Sequence, residues 1–111
     1  MKVSVLGAGT WGTALAILLA ENKHEVTIWS ALPKEVEELG KNRTAIKNLP
    51  GAVLPETVNV TADLEEALKE PQMLVMAVAS VYVRETAKKI SSKIPQGMII
   101  VNVARELKKL L

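Results

Sequence analysis

The 111-residue chain contains no cysteine and no phenylalanine, and only one tyrosine and two tryptophans. The missing thiols exclude disulfide bonds, thiol catalysis and cysteine-based zinc sites, and they suit a reducing compartment. Three aromatic rings are too few for a stacking platform that binds single-stranded nucleic acid. An excess of one charge is lacking as well: fourteen Lys and Arg stand against twelve Asp and Glu, a net charge of +2. The basic residues are scattered, which leaves no electrostatic footprint for nucleic acid or a membrane surface. Long apolar runs are also missing, since the longest, Met73 to Ala79 and Met98 to Val101, fall far short of the roughly 20 residues that cross a bilayer. Gly7, Gly9 and Gly12 interrupt the N-terminal apolar run before a signal-peptide core can form. No metal-ligand cluster is evident. The expectation is a soluble, cytoplasmic protein with no metal and no nucleic-acid or membrane partner.

What is present is enough apolar material, 49% of residues with a mean hydropathy of +0.20, for one aliphatic core in a single domain over residues 1–111. Lys2 to Leu6 is short, β-branched and stopped by Gly7, so it reads as a first strand. From Thr10 to Asn22, Trp11, Ala14, Leu15, Leu18 and Leu19 recur with helical spacing and predict a helix buried on that stripe. Glu25 to Trp29 alternates as a second strand, which completes a βαβ unit. Pro33 opens a predicted helix to about Lys41, with Glu35, Glu37 and Glu38 outward and Val36 and Leu39 inward. A loop through Asn48-Leu-Pro-Gly51 and a short strand at Val58 to Val60 follow. Asp63 and Glu66 have capping-box spacing for a helix to Lys69. Met73 to Val78 and Met98 to Val103 are continuous apolar runs, the pattern of strands covered on both faces. Between them Ser80 is the expected cap of a helix to about Lys93 that buries Val83, Ala87, Ile90 and Ile94. The expected fold is α/β, a doubly wound parallel sheet of order 3-2-1-4-5 in a three-layer αβα arrangement.

Gly7-Ala-Gly9-Thr-Trp-Gly12 is a G-x-G-x-x-G loop between a strand and a helix, the context that makes this motif a dinucleotide fingerprint. Gly7 permits the tight turn, Gly9 lets backbone approach a pyrophosphate and Gly12 lets helix and sheet pack closely. The N–H groups at Thr10, Trp11 and beyond, with the helix dipole, would hold the phosphates. The alternative is a tight turn that binds nothing. About 20 residues past such a loop an Asp or Glu usually takes the ribose of NAD, and an Arg the phosphate of NADP. The second strand here runs instead into Ser30-Ala31-Leu32, so neither clamp is present and the cofactor is NAD or NADP. Ser30 is the candidate contact at that end, and Lys34 is either an aid to NADP or a solvated side chain. His24 is expected at the surface, at the end of the sheet opposite the ligand. Lys88-Lys89 is read as a solvated helix face.

Val5-Leu-Gly-Ala-Gly-Thr-Trp-Gly-Thr-Ala14 resembles the opening of the NAD(P)-dependent glycerol-3-phosphate dehydrogenases. Glu25 to Trp29, Asn48 to Gly51, Thr61 to Leu68, Ala77 to Ser80 and Val101 to Ala104 continue the resemblance in order and spacing to about Glu106. It implies hydride exchange between dihydroxyacetone phosphate and sn-glycerol 3-phosphate, in phospholipid biosynthesis. It puts Thr10 and Trp11 on the pyrophosphate and Tyr82 beside the nicotinamide. Arg105 falls where the family has a lysine that touches cofactor and substrate phosphate. The family motif there reads Ala104-Arg105-Glu106 in this chain, without its glycine. Lys23 replaces the usual glycine after the first helix, at a cost of about 1 kcal/mol if that position is left-handed. In the family a helical C-terminal domain supplies the acid/base lysine and most of the substrate pocket. No catalytic residue is therefore expected in these 111 residues, and no turnover by them alone. The alternative is a non-catalytic nucleotide-binding or self-associating module, a homodimer through surface that the C-terminal domain would otherwise cover.

Overall fold

The computed structural model describes residues 1–43, 51–94 and 97–103. Its strands are β1 (Lys2–Leu6), β2 (Glu25–Trp29), β3 (Asn59–Thr61), β4 (Met73–Met76) and β5 (Ile99–Asn102). They form one parallel sheet in the order β3-β2-β1-β4-β5. The helices are α1 (Thr10–Glu21), α2 (Pro33–Lys41), α3 (Leu64–Ala67) and α4 (Val83–Ser91). β1 is the centre of the sheet: Val3 pairs with Val26 on one side and Met73 on the other.

Alternation along the strands divides the core between the two faces. Val3, Val5, Val26, Ile28 and Val75 pack on one face with Ala16 of α1 and Leu39 of α2. Leu6, Trp29, Leu74 and Met76 pack on the other with Ala67 of α3 and Ile90 of α4. Leu6, Ile28 and Leu74 are fully buried, each contributing about 1.5–3 kcal/mol by leaving water. Ser4 lies among them without penalty because its hydroxyl donates to the Ala67 carbonyl.

Three expectations about buried faces are corrected. In α1 the buried residues are Gly12, Thr13 and Ala16, while Leu18 is 55% exposed. The helix lies so close to the sheet that small residues occupy the contact, and a Cβ on Gly12 would stand 2.0 Å from the Gly7 carbonyl oxygen. In α4 the inward positions are Thr86 and Ile90, and Ala87 is exposed. Ser80 begins a 3-10 turn, Ser80–Tyr82, so α4 starts at Val83, behind Tyr82 rather than Ser80. β5 is not covered on both faces: Ile99, Ile100 and Val101 are 54%, 46% and 40% exposed. Among the described residues it is an edge strand, paired with β4 alone.

The turn after α1 closes with His24 N–H on the Leu19 carbonyl and Lys23 N–H on the Ala20 carbonyl, the six-to-one bond of a Schellman end. Lys23 sits at φ +69°, the left-handed region in which glycine costs least. His24 is half-buried rather than a surface residue, and its Nδ1 is enclosed without a partner.

The α3 turn departs from the capping-box pattern. Asp63 accepts from Glu65 N–H at 3.0 Å, whereas Glu66 turns back to β3 and accepts from Thr61 Oγ1 at 2.7 Å and Asn59 Nδ2 at 2.8 Å. Those hydroxyl and amide donors hold the Glu66 carboxyl below its ordinary range. Glu65 is lowered too, first by its hydrogen bond from Lys93 and then by that ammonium's charge.

Candidate functional site

A cleft of about 720 Å³ opens at the carboxyl ends of β1, β2 and β4. The crossover after β1 goes to one face of the sheet and the crossover after β4 to the other, and ligands of open α/β sheets bind at such a switch point. Three segments meet there: Gly7 to Trp11 from the β1–α1 turn, Trp29 to Leu32 with Glu35 from the β2–α2 turn, and Ala77 to Ala79 with Tyr82, Glu85, Thr86 and Lys89 from the α4 side.

Each glycine of the loop has a different surrounding. Gly7 is at φ +126°, and a Cβ there would lie 2.6 Å from the Ala77 carbonyl carbon and 2.7 Å from Val78 N. Gly7 is thus needed by the fold, as Gly12 is. Gly9 is not: its φ is −73° and nothing of the protein lies within 4 Å of a Cβ built on it. Its backbone is exposed on the cleft, with room for a ligand to come close.

α1 begins at that point with no capping side chain and no acidic residue in its first turn. Thr13 N–H bonds to the Gly9 carbonyl at 2.9 Å and Thr13 Oγ1 to the Ala8 carbonyl at 3.2 Å, which turns the loop back onto the helix. The first-turn N–H groups of Trp11 and Gly12 have no acceptor within a helix, and they combine with the positive dipole end. Trp11 Nε1 is buried, lacks a partner and belongs to a cleft residue. A buried donor without an acceptor costs about 1–3 kcal/mol. The first-turn N–H groups and the dipole fit an anionic group entering over Gly9.

The residues expected from the sequence at the site fall as follows. Gly7, Gly9, Thr10, Trp11, Ser30 and Tyr82 line the cleft, and Gly12 supports it from below. Ser30 is buried, and Tyr82 is 57% exposed at the rim. Arg105 lies outside the described residues. Two cleft residues carry a different role from the one expected. Lys89 is on the wall, 3.6 Å from Glu85, rather than on a purely solvated face. Glu35 is half-buried and inward: Ser30 Oγ donates to its Oε1 at 2.6 Å. The available signal for Glu35 is its place three residues after the N-cap Leu32, where an acid can reach back over the helix start; here Ser30 Oγ stands between, accepting from Leu32 N–H and donating to Glu35. Among the described residues there is no group of three His, Asp or Glu able to hold a metal, and no helix is long and apolar enough to cross a membrane.

Comparison with known proteins agrees with this geometry. Glycerol-3-phosphate dehydrogenase (NAD(P)+) 2 of Lactobacillus delbrueckii subsp. bulgaricus is 51% identical over 104 residues, covering 94% of this chain and 31% of the relative. The Fusobacterium nucleatum glycerol-3-phosphate dehydrogenase (NAD(P)+) is 47% identical over 109 residues, covering 98% of this chain and 32% of the relative. The crystal structure of glycerol-3-phosphate dehydrogenase from Coxiella burnetii superimposes with a TM-score of 0.83 at 30% identity, over 90% of this chain and 31% of that one. The chain therefore spans about a third of the length of these relatives. The family profile of the NAD-dependent glycerol-3-phosphate dehydrogenase N-terminus matches residues 2–110, and the chain belongs to that family.

Proposed function

We propose that residues 1–111 form one dinucleotide-binding domain, the cofactor-holding part of an enzyme that exchanges a hydride between sn-glycerol 3-phosphate and dihydroxyacetone phosphate. The observation that carries this reading is the uncapped α1 N-terminus facing the cleft, with open space over Gly9. When bound, NAD or NADP supplies or takes up the hydride. The chain's own residues hold and orient it. Trp11 and Gly12 N–H groups donate to the pyrophosphate, Thr10 flanks it, and Gly9 leaves space for its approach. Gly7 and Gly12 keep the turn against the sheet. Ser30 belongs to the adenosine end. Tyr82, at the start of α4 on the other side of β1, flanks the nicotinamide end, and the resemblance assigns Arg105, outside the described residues, to cofactor and substrate phosphate. No side chain among the described residues is assigned the proton transfer. The absence of thiols suits work in the cytoplasm.

Titration of the 111-residue chain with NADH and NADPH to millimolar concentration tests the site through tryptophan fluorescence. Quenching with saturation is expected, and an unchanged signal with both cofactors removes the proposal. A second reading, a self-associating module, is favoured by one observation: the exposed apolar edge strand β5, a template for pairing with another chain. A strict monomer by light scattering at high concentration eliminates it.

A further inference from the structure

The adenosine end of the cleft contains an acid that the end of β2 lacks. Ser30 Oγ donates to Glu35 Oε1 at 2.6 Å and accepts from Leu32 N–H at 3.1 Å. A hydroxyl has one proton to give, and that of Ser30 is already committed. Ser30 is therefore not a donor for a phosphate, and what it presents to the cleft is the carboxylate behind it. Glu35 lies in the first turn of α2 and on the cleft wall. An ionised carboxylate only accepts hydrogen bonds and has about four acceptor sites, of which Ser30 fills one.

We propose that Glu35 sets the dinucleotide preference of this chain, accepting the adenosine ribose 2′-hydroxyl and so selecting NAD(H) over NADP(H). The inference rests on the dinucleotide reading of the cleft. A ribose hydroxyl gives Glu35 a donor. A 2′-phosphate brings about −1.5 to −2 charges and only acceptor oxygens to the same spot, against a carboxylate that cannot donate. Among the described residues, neither Lys34 nor Lys89 offsets this. Lys34 is exposed and is not on the cleft wall. Lys89 is on the wall but rises from α4, on the opposite face of the sheet, beside Glu85. The acid usual at the end of the second strand is thus replaced by one a helical turn later, held through a serine relay.

The test compares NADH and NADPH dissociation constants, by tryptophan quenching, for the native chain, Glu35→Gln and Glu35→Asp. The native chain is expected to bind NADH at least about tenfold more tightly, since opposed like charges are strongly disfavoured. Glu35→Gln keeps an acceptor for Ser30, so its melting temperature stays unchanged while the NADH preference falls about tenfold. Glu35→Asp retains the charge and part of the preference. NADPH binding as well as NADH to the native chain, or an unaltered ratio in Glu35→Gln, overturns the role of Glu35 and leaves the site standing. Failure of both cofactors to bind overturns the site and this inference with it.

Discussion

Two strand-to-helix turns, both at the carboxyl ends of their strands, use the same chemistry in opposite ways. At α3 the chain supplies its own partners: Thr61 Oγ1 accepts from Asp63 N–H at 2.9 Å, Asp63 caps Glu65 N–H, and Glu66 is tied to Thr61 and Asn59. At α1 there is no capping side chain, no acid in the first turn, and open space above Gly9. A four-residue helix such as α3 is too short to persist without its caps. The twelve residues of α1 hold themselves through packing against the sheet and can leave the Trp11 and Gly12 N–H groups to a ligand. Helix length thus decides which terminus can be given to a ligand.

Substitutions can break this contrast, and the largest effect is expected at Gly12. A Cβ 2.0 Å from the Gly7 carbonyl oxygen forces backbone to move, and Gly12→Ala should cost about 3 kcal/mol, read from the urea midpoint. A loss under 1 kcal/mol would show that α1 does not depend on that close approach. Gly9→Ala is the complementary case. With nothing nearby and an ordinary φ, stability should stay within about 0.5 kcal/mol of native, while NADH affinity falls at least about tenfold, a difference of about 1.4 kcal/mol. Equal affinity in native and variant chains would mean that the space over Gly9 is not where the ligand sits. On the capped side, Asp63→Ala should cost about 1 kcal/mol and leave NADH binding untouched; a matching loss of affinity would show the two turns to be coupled. The smallest effect is that of pH. Because the folded state lowers Glu66 from its ordinary 4.5, its contribution is complete above that value and disappears as pH falls through the lowered one. Thr61→Val should flatten that part of an acid-unfolding curve, and an unchanged curve would separate Glu66 from the stability of the turn.

The strands and the glycine loop were legible because β-branched runs, stops and the G-x-G-x-x-G spacing are local features. Faces were harder. Nearly every residue of α1 is apolar or small, so periodicity alone could not select Gly12, Thr13 and Ala16 over Leu15 and Leu18; the close approach to the sheet selected them. Thr86 went unnoticed because a threonine enters no hydrophobic stripe, although it is inward at three positions after Val83. Glu35 looked like one more solvated acid on α2 until Ser30 turned it inward. The apolar run of β5 predicts cover on both faces, but coverage depends on what packs against a strand, which the strand's own residues do not state.

The position of β1 at the middle of the sheet also orders events during synthesis. β2 is available to pair with one flank of β1 as soon as Trp29 has emerged, but the partner of the other flank begins at Met73. At about 5–20 residues per second, that interval is roughly 2–9 s. For those seconds the backbone edge of Val3 to Leu6 faces neither β4 nor any later strand, and pairing across so long a separation is slow to begin even once the chain is complete. The growing chain thus spends its most adhesive period before the core strand has its second neighbour, and shielding by a chaperone or by the ribosome surface matters most while residues 30 to 72 are being added.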